Sequence, residues 1–362
     1  MLDICNAFTD CCKYDLVALQ TGEVNIRPTK PHPDLKVIKT KKYNKKTIVS
    51  RILSWVISFV HSLYLIWFKF PKAELFLVTN PPINLFLPLF CRNRYSILVF
   101  DIYPDTLTGQ NILKENSLAT KWWKKVNRKV MEEASHVFTI SEAMKTVLSN
   151  YVSKEKIEVI ENWVHNEYFC PIEKNNNPFL CSMQLEDKFI VQYSGNMGYT
   201  HDIDVLVDVA AILRERQDIV FLLIGDGAKR RHIFEKIKTL GLKNCYLLPF
   251  QPEKTLPYSM GAADVGIITL DSNSASLSIP SKTLTYMAIG AVLLCVTPKG
   301  SQLEQLVQVN MSGHAFEKSQ INEIGEYIIS LADDREKANI LKQNALLSSG
   351  KYTPFNAYKY VK

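Results

Sequence analysis

No two cysteines in this chain stand at the C-x-x-C spacing of a zinc or redox site, and no His/Cys arrangement matches a zinc-ligand pattern. The eight cysteines, at positions 5, 11, 12, 91, 170, 181, 245 and 295, therefore read as buried or reduced thiols of an intracellular protein. A basic leader followed by a long apolar run is missing too, since the start, MLDICNAFTD, lacks the make-up of a secretory signal. The Gly225-Asp226-Gly227 turn lacks the third glycine of a dinucleotide fingerprint, which takes weight from a G-x-G-x-x-G dehydrogenase. No nucleic-acid fold motif accompanies the basic residues, so no nucleic-acid partner is expected. What is present is a chain of 362 residues, 47% hydrophobic and 22% charged, the composition of a soluble protein of two domains.

The net charge of +7 is concentrated, because nine Lys or Arg and one Asp lie between Arg27 and Arg51. Directly after them, residues 52–68 read ILSWVISFVHSLYLIWF, near the lower length limit for crossing a bilayer but interrupted by His61 and serines. A basic stretch beside an apolar, aromatic-rich helix is the make-up of a segment that lies on an anionic membrane surface. A core helix behind a solvated loop is the second reading and a true span the third. Residues 27–68 are thus a candidate peripheral membrane contact, to which the patch KWWKK at 121–125 adds. The expected location is cytoplasmic, at the inner face of the plasma membrane.

Apolar runs alternate with helical patterns at the spacing of βα units. Candidate strands are 16–19, 75–79, 97–100, 137–140 and 157–160 in the first half, then 189–193, 220–224, 246–248, 265–269 and 292–296. This predicts an α/β fold of two Rossmann-like, doubly wound parallel-sheet domains facing across a cleft. The boundaries fall at 1–165 for the first domain, 166–184 for a polar, aperiodic linker, 185–345 for the second domain and 346–362 for a tail returning to the first. The first domain opens on a helix, residues 2–8, before its first strand at Leu16. The strand and glycine-rich turn that normally begin a Rossmann half are therefore expected to be missing.

Three short segments of the second half stand at the carboxyl ends of strands, where a doubly wound sheet presents its loops to a nucleotide. In YSGNMG, residues 193–198, Gly195 and Gly198 let the backbone turn tightly and approach a ligand. Amides opening the next helix, capped by Thr200 or Asp202, would face a phosphate, although an ordinary βα turn needs the same residues. Asp202-Ile203-Asp204 matches a D-x-D metal pattern, while carboxylates in a first helical turn are also favoured by the helix dipole alone. Gly225 and Gly227 leave room for a base or ribose ahead of Lys229, Arg230 and Arg231, with Asp226 as a turn residue. In PSK, Pro280 sets φ at a helix start, and Ser281 and Lys282 offer a hydroxyl, an amide and a cation. A lysine at the positive end of a helix is in a conflict that an anionic ligand resolves; the alternative is a solvated lysine pointing outward.

Further segments stand in order with these: DIYPD at 101–105, TISEAM at 139–144, IENWVHNEYF at 160–169, LPFQPEKTLP at 248–257, ADVGIITL at 263–270, PSKTLTYMAIG at 280–290 and SQLEQLV at 301–307. On them the chain resembles, over nearly its whole length, the GT-B glycosyltransferases of family 4, in the bacterial branch that builds capsule, O-antigen and related surface polysaccharides. The resemblance implies a carboxyl-terminal domain that binds a nucleotide diphosphate sugar, usually UDP-linked, and an amino-terminal domain that binds the acceptor. It implies retaining hexosyl or N-acetylhexosaminyl transfer with no metal and no cofactor. In the implied front-side displacement the departing diphosphate oxygen helps deprotonate the acceptor hydroxyl, and the protein supplies charge stabilisation and alignment. The implied donor site is Gly195, Asn196, Gly198, His201, Gly225, Gly227, Arg230, Pro280, Ser281, Lys282 and Thr285. Asp105, Asp101 and Lys282 form the implied catalytic set.

The chain departs from that family's pattern at several positions. Asn196 and His201 stand where many relatives have Arg and Lys, so charge falls on Lys282, with His201 donating a hydrogen bond or a proton, or only capping. Leu277 and Thr285 occupy the E-x7-E positions, and Thr285 offers at most a hydroxyl to the ribose. Phe100 stands where many relatives place a His, which leaves acid-base work to Asp101 or Asp105. Asp105 is preferred, and a turn and cap made by Pro104-Asp105 is the alternative. Three functions stay open: a transferase acting on a lipid-linked saccharide, a degenerate nucleotide-sugar-binding partner, and a sugar-nucleotide epimerase of the same fold.

Overall fold

The computed structural model describes every residue except 12–14, 21–28, 41–47, 110–111, 199–200 and 271–278, together with the backbone alone of Ile48. Thr200, Leu277 and part of the basic stretch before Arg51 thus lie outside the described residues. The chain divides into two compact units, Met1–Glu161 with Phe355–Lys362, and Asn162–Pro354.

In the first unit, helix α1 (Leu2–Asp10) precedes strands β1 (Val17–Gln20) and β2 (Lys36–Lys39), which pair in parallel as a sheet of their own. The run at 16–19 does not open the main sheet. Its partner β2 reads KVIK with only Ile38 less than exposed, so no buried alternation marked it in the sequence. Helix α2 (Ile48–Phe68) then leads into the main parallel sheet, β3 (Leu75–Val78), β4 (Tyr95–Val99), β5 (Val137–Thr139) and β6 (Ile157–Val159), in that spatial order. Helices α3 (Asp105–Gly109), α4 (Leu118–Glu133) and α5 (Glu142–Leu148) make the connections. Ser117 and Ser141 cap α4 and α5 by accepting from the amides of Thr120 and Met144. The last residues belong here too: the buried Tyr360 ring lies 5.1 Å from Phe138 and 6.0 Å from Phe76, and Lys362 pairs with Glu158 at 2.5 Å.

The second unit is built on one six-stranded parallel sheet: β7 (Phe189–Asn196), β8 (Ile219–Asp226), β9 (Cys245–Leu248), β10 (Val265–Thr269), β11 (Val292–Val296) and β12 (Gly313–Phe316). Runs such as VFLLI and VLLCV are buried end to end, as strands covered on both faces must be. The stretch read as a linker carries helix α6 (Pro178–Met183), whose Phe179 and Leu180 are buried against Ile190 and Leu222. Two apolar residues in polar surroundings were too weak a pattern to mark it. Helices α7 (Asp204–Ile212), α8 (Arg230–Leu240), α9 (Leu256–Met260), α10 (Ser281–Ala288), α11 (Gln302–Asn310), α12 (Ile321–Asp333) and α13 (Arg335–Ser349) follow.

The spatial order is β12-β11-β10-β7-β8-β9. From β7 the chain winds outward through β8 and β9, then crosses back to lay β10 on the other side of β7 and winds outward again. The carboxyl ends of β7 and β10 therefore flank a topological switch point, the place where doubly wound sheets bind ligands.

Candidate functional site

Strand β7 ends in Gly195 and Asn196, and β8 in Gly225 and Asp226, with Gly195 opposite Gly225 in register. Each glycine is required by what lies next to it. A Cβ on Gly225, at φ +149°, would come 1.9 Å from the Gly195 carbonyl oxygen, and one on Gly195, at φ +154°, would come 3.0 Å from Lys282 Nζ. Gly227 in turn lies against the Met197 backbone, whose amide donates to the Asp226 carbonyl at 2.8 Å. The glycines thus bind the two turns to each other and leave the Gly195 side open to the lysine. Gly198 lies beside Asn196 Nδ2, and Arg230 opens α8 with its amide on the Gly227 carbonyl at 3.0 Å.

Helix α10 brings Lys282 to this place. Pro280 is its N-cap, and no side chain among the described residues caps its first amides. Ser281 is exposed in the first turn, and Thr285 is half-buried one turn on. The helix is fixed from below by Tyr286, fully buried, whose hydroxyl donates to the Gln192 carbonyl at 3.1 Å. Its ring occupies the space that Gly266 on β10 leaves free.

Lys282 as a residue is half-buried, but its Nζ is closed to solvent and has no hydrogen-bond partner among the described residues. It lies 3.9 Å over the ring of Tyr193. Burial pushes its ammonium down from the ordinary 10.5 to about 7. A shift of that size corresponds to on the order of 4–5 kcal/mol against the charged form. The Tyr193 ring returns at most about 2 kcal/mol as a cation–π contact. Loss of the proton relieves this cost, whereas an anion would restore the charged form, and the uncapped start of α10 favours one at the same place.

His201 is anchored: its Nδ1 lies 3.2 Å from the Thr269 carbonyl at the end of β10, and its own carbonyl accepts from Lys229 Nζ at 2.9 Å. This ties the loop after β7 to the far side of the switch point. The Asp202-Ile203-Asp204 pattern resolves as ion pairs: Asp204 meets His232 at 2.7 Å and Lys229 at 3.4 Å, and Asp202 meets Lys318 at 3.8 Å. Burial pushes the Asp204 carboxyl up, but His232, Lys229 and Lys236 together hold it below the usual range. Among the described residues no group of three or more His, Cys, Asp or Glu is placed to hold a metal ion.

In the first unit, the two candidate carboxylates differ. Asp105 opens α3 and is already engaged: the Tyr151 hydroxyl donates to it, and Lys124, which also binds Glu115, lies 3.4 Å away. Asp101, just beyond β4, has its amide on Thr79 Oγ1 at 3.2 Å and no hydrogen bond or ion pair on its carboxyl among the described residues. Burial pushes that carboxyl up. Sequence reasoning missed Tyr193 as the floor under Lys282, Thr269 as the anchor of His201 and the Asp204 cluster; each joins residues distant in sequence and carries no local motif.

Two Rossmann-like parallel-sheet units make up the GT-B fold, although only the second is doubly wound here, since the first runs β3-β4-β5-β6 in one direction and not both ways as its sequence predicted; comparison with solved structures gives the same fold. The chain superposes over 99% of its length on 93% of a structure of Anabaena Alr3699/HepE in complex with UDP-glucose, with a TM-score of 0.71 at 14% identity. It likewise covers 94% of WaaG, a glycosyltransferase involved in lipopolysaccharide biosynthesis, with a TM-score of 0.69 at 10% identity. Residues 182–347, most of the second unit, match the family model described as Glycosyl transferases group 1. A "probable glycosyltransferase WbjE" of Pseudomonas aeruginosa is 25% identical over 290 residues, which is 76% of this chain and 70% of that protein.

Proposed function

We propose that the protein is a retaining glycosyltransferase of surface-polysaccharide biosynthesis, which moves a sugar from a UDP-sugar to a lipid-linked saccharide acceptor. The observation that carries this reading is Lys282, a buried amine without a counter-charge among the described residues, at the start of α10 and facing the glycine turn after β7. The glycosyl transferases group 1 domain and the relative from Pseudomonas aeruginosa support the class of reaction. The UDP-glucose held by the Anabaena neighbour supports UDP as the carrier.

In this reaction the bond between the anomeric carbon and the diphosphate oxygen breaks while the acceptor oxygen bonds to that carbon. Negative charge grows on the departing diphosphate, where Lys282 and the first amides of α10 receive it. The acceptor's proton passes to the departing diphosphate oxygen. Asp101, whose carboxyl has no partner among the described residues and is raised in proton affinity, orients the acceptor hydroxyl, while Asp105 holds α3 to Tyr151 and Lys124. This ranks Asp101 ahead of Asp105, the reverse of the preference drawn from sequence.

Calorimetric titration tests the assignment. Lys282→Met should weaken UDP binding about 10- to 100-fold, the ~1.5–3 kcal/mol of a hydrogen bond to a charged group, while uridine binding changes little. Equal affinity for UDP in both proteins would remove Lys282 from the diphosphate site. A UDP-dependent rise in melting temperature without transfer or hydrolysis of any UDP-sugar would fit a binding-only protein, and interconversion of UDP-sugars without acceptor would fit an epimerase.

A further inference from the structure

Helix α2 is long and apolar enough to cross a membrane, with a mean hydropathy of 1.5 over Val49–Phe68, yet 33% of that window is buried inside the unit. It buries Leu63, Leu65 and Ile66 towards its carboxyl end, but before them only serines. Ser54, Ser58 and Ser62 recur every fourth position and are all buried. The Ser54 hydroxyl donates to the Arg51 carbonyl at 2.7 Å and Ser62 to the Ser58 carbonyl at 2.9 Å, while the Ser58 hydroxyl lies 3.3 Å from Thr40 Oγ1, so the inward polar groups are all satisfied. The outward face is aliphatic: Val49 is 75% exposed, Val60 59%, Leu53 58% and Ile52 51%, with Val56 between them. These positions, with Tyr64 and Trp67, fall within about 120° of arc at 3.6 residues per turn. A helix on the surface of a soluble domain turns its apolar stripe inward and its serines outward; up to Ser62, α2 does the reverse.

The sequence leading into α2 is strongly cationic. No carboxylate occurs in α2, and the 25 residues from Arg27 to Arg51 hold nine Lys or Arg against one Asp. At the other end Tyr64, Trp67 and Phe68 are exposed beside Phe90, whose carbonyl accepts from Trp67 Nε1 at 2.9 Å. Aromatic side chains with a polar edge are the residues that settle at a membrane–water boundary.

We propose that α2 lies in the plane of a bilayer containing anionic phospholipid, with its aliphatic stripe sunk at the acyl-chain boundary and its serine face kept on the protein. A span is disfavoured because Leu63 and Ile66 of α2 are part of the core with Leu77 and Ile97 and would have to be withdrawn from it. A second copy of the chain would bring the same cationic stretch against itself, whereas anionic headgroups complement it. The inference does not rest on the donor site.

Flotation of the full chain with phosphatidylcholine vesicles, with and without phosphatidylglycerol, is the test. The expected result is at least about tenfold more protein on the anionic vesicles, weakened by salt. Binding should fall at least about tenfold in Ile52→Glu/Val56→Glu/Val60→Glu, with circular dichroism and unfolding midpoint kept. Val56→Glu alone serves if the triple variant does not fold. Four results would overturn the proposal: no vesicle association, unchanged binding by a folded variant, bound protein that resists alkaline carbonate, or a lipid-free dimer that the variant dissociates.

Discussion

Lys282 occupies a state that costs free energy until an anion arrives, and the cost is readable in pH. Its folded value is pushed down to about 7 while an unfolded lysine keeps its proton to near 10.5, so between those values the unfolded chain binds more protons. Stability of the ligand-free protein therefore rises across that window from this group, and below it the penalty is present in full. Lys282→Met removes the term: at neutral pH it should be more stable than the parent by ~1–3 kcal/mol, and the gap should shrink towards pH 10. Urea unfolding of both proteins across this pH range measures the gap, and a constant difference would show that burial does not shift this amine. The residue itself stood out in the sequence, because a lysine at a helix start is a visible conflict there. Its enclosure did not, since Tyr193 and Gly195 come from another strand 87 or more positions earlier. The same holds for Asp105, whose engagement by Tyr151 and Lys124 separates it from Asp101 only once the fold is seen.

At the scale of elements, α10 is positioned from beneath rather than from its own sequence. Tyr286 fills the place a side chain on Gly266 would take: a Cβ there would lie 2.3 Å from the Tyr286 ring. Gly266→Ala must therefore push the helix off β10, at an expected loss of ~1–3 kcal/mol, with a fall in UDP affinity because Lys282 moves with the helix. Thermal unfolding and titration of the one variant check both; intact affinity in a destabilised protein would mean that Lys282 is placed by something other than Tyr286. Strands such as β8, β10 and β11 were legible because a strand covered on both faces must be aliphatic throughout. Strands β2 and β12 were not, as KVIK and GHAF contain too little buried apolar sequence to stand out. Helix α2 was visible as an apolar run with three readings, and only the exposure of individual positions separates its serine face from its aliphatic one.

For the whole molecule, the two Rossmann-like units present different features: the second carries the enclosed Lys282 amine at its switch point, and the first carries Asp101 and the outward face of α2. The ordered motifs made the GT-B fold legible, since glycine turns and strand ends keep their order along the chain. The stretch from 166 to 184 was read as a connection because short, isolated contacts such as those of Phe179 and Leu180 leave no periodic trace. The central claim is that the diphosphate of a UDP-sugar supplies the counter-charge that no described residue gives Lys282. Titration of UDP at pH 8 in buffers of different ionisation enthalpy measures it directly. The amine, mostly neutral there in the free protein, should take up close to one proton per UDP bound, and Lys282→Met should take up none. UDP binding without proton uptake, or the same uptake by the Met variant, would contradict it.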